Sequence, residues 1–176
     1  MTRVSLVDAR IAGGEAGALL DSLSRHGADV HPLLMAVAHS SGCFRNFLRL
    51  PDSLIRHSKL DAGLREIAVM RMARVLDSDY EWTLHDRYAR TAGVRQDQLD
   101  ALRSGDVDGG AFTETERLVI AFTDEGMKGT LSDELFAEVR ERIGEESVVD
   151  LVLAIGWWAG LVPLVNKALD IHLTDS

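Results

Sequence analysis

The chain has 176 residues, a formal net charge of −9 and a single cysteine, Cys43. That length suits one domain with its own core, and the lone thiol excludes an internal disulfide, a Cys-x-x-Cys redox centre and a cysteine zinc site. The acidic balance and the scatter of basic residues argue against a nucleic-acid partner, and a reducing, cytoplasmic setting is the simple expectation.

Residues 1–12, MTRVSLVDARIA, carry an apolar stretch that Asp8 and Arg10 interrupt. It is too short for a secretory signal and reads as an irregular arm. The remainder, 13–176, reads as one all-α domain of about seven or eight helices, since strand signals are nearly absent. Gly14 to Arg25 forms the first helix. Pro32 opens HPLLMAVAHSSGCFRNFLRL, in which Leu34, Val37, Ala38, Phe44, Phe47 and Leu48 keep helical spacing around a weak point at Ser41 and Gly42. Pro51 is expected to end that unit and start another.

From Asp61, LREIAVMRMARVL places Leu64, Ile67, Ala68, Met70, Val75 and Leu76 on a helical stripe. It runs almost directly into the next helix, so the two should pack as neighbours. A short helix from Arg95 to Leu102 leads into the loop SGDVDGGAF, after which Thr113 and Glu116 form a capping-box pattern. Thr113 to Met127, Ser132 to Ile143 and Glu145 to Ile171 are the last three helices. Within the last, VVDLVLAIGWWAGLVPLV approaches the ~20 residues that span a bilayer. Asp150, Gly156, Gly160 and Pro163 interrupt it, and no basic cluster flanks it. A helix of the core or of a subunit interface is expected, not a membrane span.

The segment SDYEWTLHDRYARTAG, Ser78 to Gly93, concentrates the chemistry. Glu81 and His85 stand at i and i+4 with Ser78 three residues earlier, so the three share a helix face with Trp82, Ala89 and Ala92. Asp79, Asp86, Arg87 and Arg90 take the other side. A carboxylate and an imidazole on the less charged face can have their proton affinities moved toward neutrality, as general acid or base catalysis requires.

Arg65 and Glu66 opening one helix, then Ser78, Glu81 and His85, then Ala89 and Gly93, resemble the carboxymuconolactone decarboxylase family, which includes the AhpD-like alkylhydroperoxidases. The resemblance extends over most of the chain. It implies an AhpD-like helical bundle that assembles as a trimer or hexamer. In the peroxidase branch a glutamate is followed by Cys-x-x-Cys-x-x-x-His. Glu66 matches that glutamate and His85 the histidine, but Ser78 and Glu81 occupy the cysteine positions, so thiol redox chemistry is not available there. The decarboxylase side is favoured instead: a cofactor-free, metal-free lyase acting on a small carboxylated or phenol-derived compound. His85 would then be the proton donor or acceptor and Glu66 its orienting partner. Glu81 keeps three open roles: holding substrate, sharing a proton with Glu66, or fixing the imidazole tautomer.

Plainer readings stand beside these. A Glu to His pair at i,i+4 is most often a surface contact worth ~0.2–0.5 kcal/mol. Ser78, a candidate for substrate binding, more commonly serves as a helix N-cap. His39 is a candidate for the same cavity, although a lone histidine in an apolar stretch is usually a hydrogen-bonded core residue. Trp82 and Trp157 would make pocket walls, with packing as the default. Trp157 and Trp158 should point ~100° apart, one into the core and one toward a subunit partner. Glu66 with Glu81 and His85 supplies three possible metal ligands, yet the paired Glu-x-x-His motifs of carboxylate-bridged metal bundles are missing. Two further functions remain in view: a peroxide reductase using Cys43 alone, and a helical oligomer that binds a ligand or partner without catalysis.

Overall fold

The computed structural model describes residues 2–173, and among these no strand occurs. The helices are α1 (Ala9–Ala12), α2 (Gly14–Arg25), α3 (Pro32–Val37), α4 (Ser41–Arg56), α5 (Ala62–Val75), α6 (Asp79–Thr91), α7 (Gln96–Ser104), α8 (Glu114–Lys128), α9 (Asp133–Ile143) and α10 (Glu145–Leu169). The excess over the expected number comes from short pieces. Asp8 caps a helical turn, α1, within the arm expected to be irregular, its carboxylate accepting from the Arg10 and Ile11 amides. The weak point at Ser41 separates α3 from α4.

Two compact units divide the chain: residues 2–53 with 163–173, and Leu54–Val162. In the first, Val7, Ala16, Leu20, Ala38 and Phe44 form the core. Pro51 does not break the chain as expected; α4 runs through it. Proline removes one N–H from the helical ladder, but its fixed φ is compatible with helix, so the ladder loses one bond and resumes. Gly13 turns α1 into α2 at φ 61°, and this sets Gly17 so close to α1 that an added Cβ would lie 2.3 Å from the Ala9 carbonyl oxygen. Alanine normally gains up to about 1 kcal/mol over glycine inside a helix. Here the clash is with backbone, which cannot swing away, so Gly17→Ala is expected to destabilise by about 1–3 kcal/mol in urea denaturation. An unchanged midpoint would show that α1 yields freely.

The second unit is built around α5. Its residues Arg65 to Met70, then Met72 and Ala73, are buried, the pattern of a helix enclosed on all sides. Asp61 caps its start through the Leu64 amide at 3.0 Å. The connection to α6 is short: Asp77 adopts a left-handed conformation at φ 51°, which Asp tolerates better than most residues. Ser78 then caps α6 by accepting from the Glu81 amide at 3.3 Å. The two helices pack together, as their sequence adjacency led us to expect.

Ile67, Met70, Ala89, Val94, Leu99, Leu102, Phe112 and Ile120 form a core cluster of this unit. The capping box at Thr113 and Glu116 is present, with 2.7 Å and 3.3 Å hydrogen bonds. Arg71 of α5 and Asp124 of α8 make a two-pronged ion pair, both bonds 2.7 Å. Asp150, an interruption in the apolar run, accepts from the Ser58 hydroxyl at 2.7 Å and the Lys59 amide at 2.8 Å.

The α10 helix is long and apolar enough to cross a membrane by length and composition. Val148, Leu151, Ala154, Ile155, Trp157 and Trp158 are buried within the second unit, while Val149, Val152 and Leu153 on the same helix are exposed. From Gly156 to Leu161 the helix widens to i→i+5 bonding. The expectation that one tryptophan would face the core and the other a partner is corrected, because the second unit encloses both rings. Both are buried, at 5% and 4% exposure.

Candidate active site

Arg65, Glu66, Glu81 and His85 are brought together by α5 and α6 and buried. The short turn at Asp77 folds α6 back along α5, which sets His85 opposite Glu66. The Nδ1–H of His85 donates to Glu66 Oε2 at 2.8 Å. The other Glu66 oxygen accepts from Arg65 Nε at 3.0 Å. Arg65 also donates to the carbonyls of Leu54 and Ile55, at 3.3 and 3.4 Å, so its charge is compensated at several points. Both oxygens of Glu66 are thus satisfied, and its bond to Nδ1 orients the imidazole and leaves Nε2 on the far edge of the ring.

Nε2 faces Glu81, whose Oε2 is 3.6 Å away. That is beyond a hydrogen bond, and neither carboxyl oxygen of Glu81 has a partner. Burial pushes the Glu81 carboxyl up from its ordinary 4.5 to about 7, while the charge of His85 pulls the other way. Aromatic rings enclose the imidazole. Trp158 meets it edge-on with centroids 5.3 Å apart, and Tyr88 lies tilted at 5.6 Å with its own ring partly exposed.

The raised affinity of Glu81 has a measurable consequence. Between about pH 4.5 and 7 the folded chain keeps a proton that the unfolded chain releases, so stability falls as pH rises across that window and levels off above it. The total is about 3 kcal/mol, at 1.36 kcal/mol per unit of displacement. Glu81→Gln should match the parent at acid pH and exceed its stability by up to about 3 kcal/mol above neutrality. Urea denaturation at several pH values checks this, and parallel profiles for the two proteins would remove Glu81 as the responsible group.

Ser78 caps α6 and lines, with Arg74, Asp77, Asp79, Trp82 and Arg103, a cavity of about 320 Å³ whose lining does not include Glu66, Glu81 or His85. Trp82 lies beneath the Arg103 guanidinium, 4.4 Å from its ring centre. Trp157 is buried, but the tryptophan that touches His85 is its neighbour Trp158. His39 belongs to the first unit, is exposed, and has Nε2 at 2.8 Å from the Ser5 carbonyl. Cys43 is exposed on α4. Sequence reasoning gave Arg65 no role. The signal was there, because a charge within a helix buried on all sides needs a partner close by.

Among the described residues no group of three His, Cys, Asp or Glu side chains is arranged to hold a metal ion. The sequence model of the carboxymuconolactone decarboxylase family matches residues 35–124, a range that includes Arg65, Glu66, Ser78, Glu81 and His85. A solved structure described as an alkylhydroperoxidase AhpD core, an uncharacterized peroxidase-related protein from Ralstonia eutropha JMP134, superposes with a TM-score of 0.79. The two are 17% identical over 99% of this chain and 93% of that one, a likeness of fold. No curated protein matches the chain.

Proposed function

Because the chain belongs to the carboxymuconolactone decarboxylase family, we propose that it is a cofactor-free lyase in which His85 moves a proton on a small carboxylated or phenol-derived substrate. The observation that carries this reading is the buried imidazole held at Nδ1 by Glu66 and facing Glu81 through Nε2. A histidine oriented by a carboxylate and shielded from water is suited to proton transfer at carbon. The peroxidase chemistry of the family runs on a thiol pair, and this chain has Ser78 and Glu81 in those places. We place the protein in the cytoplasm as a homo-oligomer, a trimer or hexamer. Val149, Val152 and Leu153 support this, as an exposed apolar row on α10 available to another copy.

The test is a panel of carboxylated lactones and keto acids, together with a peroxide, offered to the parent, Cys43→Ser and His85→Ala. Turnover of a carboxylate should survive the first substitution and collapse in the second. A second reading, a ligand- or partner-binding oligomer without catalysis, is favoured by how deeply the site lies: Glu66 is 1% and His85 3% exposed. It would be supported if no carboxylate is consumed while one of them raises the melting temperature.

A further inference from the structure

The cavity beside Ser78 carries charges of both signs. The last turn of α5 supplies Arg74, the connection to α6 supplies Asp77 and Ser78, the first turn of α6 supplies Asp79 and Trp82, and the end of α7 supplies Arg103. Together with Ala73 they line about 320 Å³, in the lower range of small-molecule pockets. Several of these charges have a local reason to be there. Asp79 lies at a helix N-terminus, and Arg74 and Arg103 lie at helix C-termini, where the backbone dipole favours them. Those reasons do not account for how the charges are held. The Arg103 guanidinium rests on the Trp82 ring at 4.4 Å, and Arg74 Nε donates to the Arg103 carbonyl at 2.7 Å. Both contacts fix a guanidinium while leaving its outer N–H groups unused. Among the described residues neither arginine pairs with Asp77, Asp79 or any other carboxylate.

We propose that this cavity binds a small zwitterion of the α-amino acid class with an apolar side chain. Two guanidiniums and two carboxylates in one hollow, held beyond pairing distance of each other, are the complement of a molecule that brings one charge of each sign. The ligand carboxylate accepts from the outer N–H groups of Arg74 and Arg103, in the two-pronged geometry that a guanidinium offers. Its ammonium donates to Asp77 and Asp79. Trp82 and Ala73 supply apolar surface for the side chain. A plain anion meets the two aspartates as like charges, and a plain cation meets the two arginines, so a ligand with one charge is selected against by the charges it leaves unmatched. The site is independent of the lyase reading, since Glu66, Glu81 and His85 are not in its lining.

The test uses the intact protein labelled with nitrogen-15 and follows the Trp82 indole N–H by NMR, its signal assigned by its loss in Trp82→Phe. The common L-amino acids are offered singly at about 10 mM, enough to register millimolar binding. L-valine is titrated beside isovalerate, which lacks the ammonium, and isobutylamine, which lacks the carboxylate. The expected result is a saturable shift with amino acids carrying apolar side chains, and binding weaker by about tenfold or more for the two single-charge analogues. Arg103→Gln and Asp79→Asn should each weaken L-valine by about tenfold, while Asp79→Asn leaves isovalerate no weaker. No saturable shift with any amino acid overturns the proposal, and the parent alone decides this even if a variant does not fold. Isovalerate bound as tightly as L-valine means a simple anion site and equally overturns it. L-valine affinity unchanged in both variants places the ligand outside this cavity and overturns it too.

Discussion

Glu66→Leu is expected to cost about 3–5 kcal/mol of folding free energy, enough to threaten a domain whose total stability is of order 5–15 kcal/mol. The loss comes from what stays behind. Arg65 is 6% exposed, and without Glu66 its guanidinium keeps only the two carbonyls of Leu54 and Ile55 at 3.3 and 3.4 Å. The Nδ1–H of His85 loses its acceptor at the same time. Removing both charges should behave differently, because a buried ion pair replaced by apolar groups of similar volume is often neutral or stabilising. Urea denaturation of Glu66→Leu, Arg65→Met and the double variant closes the cycle. The double variant should recover most of the loss, and strictly additive effects would mean that the pair is not coupled.

His85→Ala should lower turnover by roughly 10²–10⁴-fold, the usual contribution of a positioned acid or base. Unlike Glu66→Leu, it leaves no unpaired charge, since the Arg65 to Glu66 pair survives at 3.0 Å. A cavity between Trp158 and Tyr88 would still lower stability by about 2–4 kcal/mol, judged by other buried truncations. His85→Asn and His85→Gln keep polar atoms in that space and separate the two effects. If both fold and are as slow as alanine, the missing function is proton transfer. Rates near the parent value in either variant would take His85 out of the mechanism.

How far the sequence could be read follows from which forces are local. Caps are local, and Thr113 with Glu116, Ser132 and Ser78 all begin helices where the pattern placed them. The facing of Glu66 and His85 was legible through the family motif and the short link between two periodic stretches, with the turn at Asp77 completing the geometry. Arg65 was harder: its i,i+1 spacing to Glu66 predicts no contact on a helix surface, and the pairing arises because both side chains are enclosed. Pro51 misled because a proline signals a boundary without enforcing one. The tryptophan pair misled because the second unit encloses α10 in both directions in which the two rings point.

The widened segment separates two properties of α10 that a regular helix ties together, its length in residues and its rotation about its axis. A stretch with i→i+5 bonding corresponds to one surplus residue taken up without breaking the rod. Evolution could therefore alter the aromatic roof above His85 by a one-residue insertion or deletion, leaving α5, with Glu66 and Arg65, in place beneath it. In this architecture the floor of the site and its ceiling are free to diverge at different rates.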